Sequence, residues 1–226
     1  MNTGYHLLLK SIMDESWERF VQLFTSHKIM YRDLSMNEAM FQFHFANLIQ
    51  TIGNDKVSQN EIFEVNLETR WYPNCKNGKK SKKYKDIDIT CYIYCGEEKK
   101  YSCAIELKFK RKRNKKGTFA KDRMFNIYRD LEYLEHEIGI NGKNEQYQEI
   151  YSEGRFYFMT DNIDYVNRQV ENTGKEIVPF GLKKDTCTAS GKIVIDSKKE
   201  LNLNKSYHIN WVSYGEWHFL EIDVTK

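Results

Sequence analysis

Residues 86–108, DIDITCYIYCGEEKKYSCAIELK, constrain the fold more than any other stretch of the chain. Ile87, Ile89, Cys91, Ile93 and Cys95 alternate with Asp86, Asp88, Thr90, Tyr92 and Tyr94, and farther on Cys103, Ile105 and Leu107 alternate with Ala104, Glu106 and Lys108. A period of two marks a strand with one apolar face, so the pattern predicts two strands joined by a turn at Gly96-Glu97-Glu98. Successive strand side chains point to opposite faces. The apolar series can therefore enter a core while two aspartates, a glutamate and a lysine share the other face. Register decides whether they meet. A turn of three or five residues sets Asp88 near Glu106 and Lys108, whereas an even-numbered turn separates them unless a bulge intervenes. The apolar alternation favours the first arrangement.

The 226 residues suit one domain with an ample buried core. Lysines and arginines number 35 against 32 acids, so the net charge of +3 says little and its distribution says more. Five cysteines without a CxxC pair argue for a reducing cytoplasm and against both a disulfide framework and structural zinc. Cys91, Cys95 and Cys103 fall on the apolar face of the hairpin, where a small hydrophobe is expected. The sequence carries no signal peptide, no bilayer-length apolar run and no repeat, and the expectation is a soluble, cytoplasmic protein without a membrane partner.

Residues 5–29 carry Leu8, Leu9, Ile12, Trp17, Phe20, Val21 and Phe24 at helical spacing, which predicts an amphipathic scaffold helix. A second helix is expected from Ser35, with Phe41, Phe45, Leu48, Ile49 and Ile52 as its stripe and Gly53 as its end. Ser35 with Glu38 reads as a capping box; the alternative makes Glu38 an accessory acid beside a metal. His44 is expected to be structural. Residues 62–72 alternate as a half-buried strand. Two basic blocks then bracket the hairpin: Lys76, Lys79, Lys80, Lys82, Lys83 and Lys85 before it, and Lys110, Arg111, Lys112, Arg113, Lys115 and Lys116 after it. Such runs are usually solvated faces, but two of them converging on a cluster of carboxylates suit a polyanionic partner, and nucleic acid is the expectation. Thr118 is expected to cap a helix whose buried stripe is Met124, Ile127, Tyr128, Leu131, Leu134 and Ile138, ending at Gly139, with Arg129, Glu132 and Glu135 on a wet face. Residues 155–160 read as a core strand ending at Asp161, and 192–196, 207–213 and 217–224 as short strands, their aromatics read as core. The class is α/β (α+β), a mixed central sheet flanked by helices in a single domain, with a core over about 35–161 and a β-rich extension over 162–226.

Two carboxylates on adjacent strands repel unless a cation joins them, and hard ions such as Mg²⁺ or Mn²⁺ take oxygen ligands. Asp88 and Glu106 are the expected pair, with Asp86 as rival or additional ligand. Lys108, two residues past Glu106 on the same face, can orient a water nucleophile and offset charge on a phosphate, which points to metal-assisted phosphodiester hydrolysis.

Asp88 followed eighteen residues later by Glu106-Leu107-Lys108 in an apolar strand resembles the D…(D/E)xK motif of the PD-(D/E)XK nuclease superfamily, which includes many restriction endonucleases and repair nucleases. The order of helix with Glu38, strand, hairpin, helix and strand resembles that family's restriction-endonuclease-like αβββαβ core. The helix from Thr118 to Leu134 and the strand RFYFMTD resemble those after ExK in nuclease-like proteins of bacterial defence and mobile elements. The resemblance spans roughly 35–161. It implies Asp88 and Glu106 as metal ligands, Lys108 as the catalytic lysine and Glu38 as the acid some members supply from the first core helix. No proline precedes either aspartate, and Asp86 and Asp88 both stand as candidates for the first position, with Asp88 preferred. Three functions are expected in order: a Mg²⁺-dependent DNA endonuclease, as a restriction or defence enzyme whose homodimer cuts both strands; an RNA-directed or purely nucleic-acid-binding relative; and a protein-interaction module built on the aromatic C-terminal strands.

Overall fold

The computed structural model describes residues 3–26, 37–71, 84–112, 121–140, 150–171, 179–196 and 199–226. The chain divides into two compact units, Met1–Leu107 with Glu145–Glu153, and Lys108–Asn144 with Gly154–Lys226. Helices and strands occur in both, and the class is mixed α/β, as the sequence periodicities predict.

In the first unit α1 (Thr3–Thr25) and α2 (Glu38–Lys56) are followed by β1 (Glu61–Trp71), β2 (Lys85–Cys95) and β3 (Glu98–Lys110), whose last three residues belong to the second unit. The strands form an antiparallel meander in the order β1-β2-β3. The helices meet through aromatic side chains at the predicted helical spacing: Phe20 lies 4.8 Å from Phe41 and 5.6 Å from Phe45, and Trp17 lies 5.5 Å from Phe45, centroid to centroid. Each such pair adds about 0.5–1.5 kcal/mol to the burial of its surface.

Four expectations for this unit change. The second helix starts at Glu38, capped by Asn37, whose side-chain oxygen accepts the Met40 amide at 2.9 Å; Ser35, the expected cap, lies outside the described residues. The helix also continues through Gly53 to Lys56. The hairpin turn has two residues, Gly96 and Glu97, with Gly96 at φ 61°, the positive value that a tight hairpin asks of its first residue. A register shift between Ile93 and Tyr94 then inserts Lys100 and restores the parity that the even turn would have broken. Cys91 and Cys103 are buried cross-strand neighbours, whereas Cys95 ends its strand at the turn and is exposed; the four described cysteines are free.

In the second unit α3 (Lys121–Glu137) precedes β4 (Glu153–Thr160), which begins one residue inside the first unit, and the short α4 (Asp164–Asn167). The remaining strands are β5 (Gln169–Glu171), β6 (Pro179–Gly181), β7 (Thr186–Cys187), β8 (Gly191–Asp196), β9 (Lys199–Leu203), β10 (His208–Ile209), β11 (Val212–Tyr214) and β12 (Trp217–Val224). Antiparallel β4, β12 and β11 lie side by side in that order, and β5–β6, β7–β10 and β8–β9 form two-stranded pairs. The predicted stripe of α3 is buried, but its wet face is only partly wet. Glu135 is fully buried and accepts from the amides of Asn204 (2.8 Å) and Lys205 (3.0 Å) and from the Tyr207 hydroxyl (2.8 Å). Glu132 accepts the Asn202 amide at 2.7 Å, and desolvation there raises its pKa. These acids fasten β9 and the segment after it to the helix. The Thr118 cap lies outside the described residues, among which no helix is long and apolar enough to cross a membrane.

Candidate active site

The carboxylates singled out by the sequence are held by β2 and β3. The β2–β3 ladder runs as far as Ile89 with Ile105, and Asp88 and Glu106 are the next residues of their strands, in alternation with the paired Thr90 and Ala104. Beyond Ile89 the Asp88 side chain itself engages the partner strand: the Leu107 amide donates to Asp88 Oδ2 at 2.7 Å. That bond fixes the carboxylate beside the Glu106-Leu107 peptide. Helix α2 holds the other side, where Gln42 Nε2 donates to the Asp88 carbonyl at 2.6 Å and to Glu68 Oε1 at 2.7 Å.

Glu106 is only 2 % exposed, and a carboxylate so far from water needs a countercharge. Lys85 supplies one: its Nζ lies 2.7 Å from Glu106 Oε1, and its side chain is 16 % exposed. The sequence assigns Lys85 to the basic, nucleic-acid-facing run; its ammonium is turned onto the glutamate. Asp86 faces its cross-strand neighbour Arg70, with Nε to Oδ1 at 3.8 Å, and the Arg70 guanidinium lies 4.6 Å over the Tyr84 ring. Asp86 thus has a cation across the strand.

Glu68 is the strained residue of this neighbourhood. The β1–β2 ladder holds on either side, Leu67 with Ile89 and Thr69 with Ile87, and the intervening position opposite Asp88 is Glu68 at φ 52°. A left-handed non-glycine residue costs on the order of 1–2 kcal/mol, and such strain collects at functional positions. Glu38, at the first position of α2, is half-buried, and Gln42 follows it by one helical turn on the same face. His44 sits farther along α2, where burial lowers its pKa, in keeping with a structural role.

Lys108 is the first residue of the second unit, two positions beyond Glu106 on β3, and its Nζ is 3.2 Å from Asp130 Oδ2 on α3. The strand exit that follows is anchored by Asp161, which pairs with Arg111 Nε at 3.2 Å and accepts the Lys112 amide. Thr160 Oγ1 donates to the Lys110 carbonyl, and Arg111 also lies 5.3 Å over the Trp217 ring. Lys110 and Arg111 are half-buried and Lys112 is exposed. Lys79, Lys80, Lys82, Lys83, Arg113, Lys115 and Lys116 lie outside the described residues.

Gln42, Glu68 and the placement of Lys85 went unread in the sequence. Gln42 carries a signal that could have found it, since it stands four residues after the flagged Glu38. Among the described residues no three His, Cys, Asp or Glu side chains converge closely enough to hold a metal ion. The carboxylates of Asp88 and Glu106 are the donor type taken by hard ions such as Mg²⁺ or Mn²⁺, which accept one or two carboxylates and keep several waters, and they lack the cysteine and histidine ligands of structural zinc sites. No family model, curated protein or solved structure matches the chain.

Proposed function

We propose that the chain is a Mg²⁺- or Mn²⁺-dependent endonuclease that hydrolyses phosphodiester bonds in DNA, with the restriction-endonuclease-like arrangement of the PD-(D/E)XK superfamily. The observation that carries this reading is two carboxylates on adjacent strands, Asp88, which accepts the Leu107 amide, and the neighbouring Glu106, which is buried and paired with a lysine. The element order α2, β1, β2, β3, α3, β4 supports it, being the αβββαβ order that the resemblance implies.

Asp88 and Glu106 would hold the ion, which when bound polarises a phosphoryl oxygen and makes a water acidic enough to attack. Leu107 and Gln42 orient Asp88 from both sides, so the carboxylate meets its task without reorganising. Lys108, whose ammonium pairs with Asp130, would supply the cation for the phosphate in this reading. Glu38 and Asp86 are secondary acids in this reading, and the lysine-rich runs on both sides of the hairpin draw in the polyanion. A restriction or defence enzyme in the cytoplasm, cutting both strands as a homodimer, is the form that suits this chemistry.

One observation favours a second reading, nucleic-acid binding without hydrolysis: the Lys85 ammonium already neutralises Glu106. A single assay separates the two. Purified protein is incubated with plasmid, linear and single-stranded DNA and with RNA, in Mg²⁺, Mn²⁺ or EDTA, beside Asp88→Asn, Glu106→Gln and Lys108→Met. Cleavage that needs the metal and falls roughly a hundredfold or more in the carboxylate variants is expected. Salt-sensitive binding without cleavage selects the second reading, and metal-independent cleavage that survives Glu106→Gln overturns the first.

A further inference from the structure

We infer that Lys85 is a built-in cation for Glu106 which a divalent metal must displace, so that this lysine sets the metal affinity of the site. The inference rests on the nuclease reading and concerns what governs the loading of its ion.

Glu106 Oε1 lies 2.7 Å from the Lys85 ammonium, a charge-assisted hydrogen bond at near-optimal length. A divalent ion coordinated by that oxygen would stand about 2 Å from it. Two cations on one carboxylate oxygen repel strongly where water is scarce, and at this position the side chains are 3 % and 16 % exposed. Metal binding is therefore an exchange: the ammonium leaves Glu106 as the ion arrives.

The two partners differ in their freedom to move. Glu106 lies inside β3, where every residue from Tyr101 to Leu107 is buried and the neighbouring ladder runs up to Ile105. Lys85 is the first residue of β2 and carries its charge on a flexible four-carbon stem. Exchange moves the lysine and leaves the ligand in place. Asp88 Oδ2 accepts the Leu107 amide, a neutral donor. The site is thus half preset, with one ligand fixed by a neutral donor and the other masked by a removable charge. The apparent affinity for metal is then the intrinsic affinity multiplied by the fraction of molecules whose Glu106 is uncovered.

The arrangement also resolves a stability problem. A buried glutamate without a partner costs several kcal/mol, so a chain awaiting metal would be weakened at this position. Lys85 removes that cost in the metal-free protein, and it does so by lowering the affinity for the ion.

The test is a calorimetric titration of the full chain with Mn²⁺ in the absence of nucleic acid, accompanied by thermal melts with and without the ion. Lys85→Met is expected to bind Mn²⁺ roughly tenfold more tightly than the wild type, to melt lower without metal, and to gain more from saturating metal. Lys85→Arg retains the charge and grips a carboxylate with a fork, so it binds Mn²⁺ more weakly; this variant keeps the proposal open to refutation should Lys85→Met not fold. Equal Mn²⁺ affinities in the wild type and the folded lysine variants overturn the inference while leaving the metal site standing. A wild type that binds no Mn²⁺, or binding unchanged by Glu106→Gln, removes the inference together with the nuclease reading beneath it.

Discussion

A glycine in the middle of a helix usually weakens it, and Gly53 of α2 shows when the opposite holds. A Cβ at this position would lie 2.1 Å from Cδ1 and 2.3 Å from Cε1 of Phe63, a ring that is 3 % exposed and sits on β1. Alanine gains about 1 kcal/mol in helix propensity over glycine, but the clash is with the body of a buried ring and needs a shift of either backbone. The clash wins: Gly53→Ala is expected to lower stability by about 1–3 kcal/mol in urea denaturation, and a second change, Phe63→Leu, to return part of it. No change in Gly53→Ala would show that α2 and β1 separate more freely than their contact implies. The sequence makes Gly53 look like a stop because it records the residue and not the ring across from it. The same limit explains the site. Asp88 and Glu106 were legible because strand parity alone assigns them a face, whereas Lys85 was hidden in a run of lysines and was read by its neighbours' behaviour. Its stem is long enough to carry the charge away from that run, and only coordinates reveal the direction. Glu68 was harder still, since a left-handed backbone at a glutamate has no compositional mark.

Helices and long strands were readable from their periods; what joins them was not. Strand β1 exposes an edge along its outer side, and Gln50 of α2 closes part of it. Its Nε2 donates to the Phe63 carbonyl at 2.9 Å and its Oε1 accepts the Val65 amide at 3.0 Å, so one side chain takes the place of a neighbouring strand. Long bare edges invite pairing with other chains, and covering them is a standing requirement. Gln50→Leu keeps the volume but removes both bonds, and is expected to cost about 1–3 kcal/mol and to raise concentration-dependent association, read by denaturation and light scattering. Gln50→Glu leaves a carboxylate that can accept from Val65 but not donate to Phe63, and should retain only part of the stability. The hairpin makes the same point about joints. Alternation correctly put Asp88 and Glu106 on one face, while the means, a two-residue turn compensated by a bulge at Lys100, lay in backbone detail that the residues Gly96-Glu97-Glu98 leave open. On α3, Glu135 read as a solvent-facing acid because it lies off the apolar stripe; its partners come from residues 204–207, some seventy positions away. The short strands β5, β6 and β7 carry no readable signal, since two or three residues are too brief to show a period, and the single strand expected over 207–213 is two, β10 and the start of β11.

Across the molecule, three histidines share one electrostatic condition: burial lowers the pKa of His44 in the first unit and of His136 and His218 in the second. Nearby acids pull the other way, Glu135 on His136 and Asp161 on His218, but desolvation is the larger cause for each. Near and below pH 6.5 the unfolded chain binds protons at these rings that the folded chain resists, so the unfolded state carries more bound protons and stability increases with pH. The stability these rings contribute is present above their unfolded pKa and is lost as pH falls through the folded values. Lowering the pH from 7.5 to 5.5 is therefore expected to lower the melting temperature. Glu132 acts in the opposite sense: its pKa is raised by burial, and protonating it as the pH falls removes an unfavourable charge. The double variant His136→Gln with His218→Gln separates the contributions, because glutamine can still meet the Ser213 hydroxyl that lies 2.8 Å from His218 Nδ1. In scanning calorimetry across this pH range the variant should give a flatter dependence than the wild type. Should the chain melt in two steps, the step belonging to the second unit, which holds two of the three rings, should be the one that flattens. A variant whose melting temperature falls with acid as steeply as the wild type's would assign the acid sensitivity to the carboxylates instead.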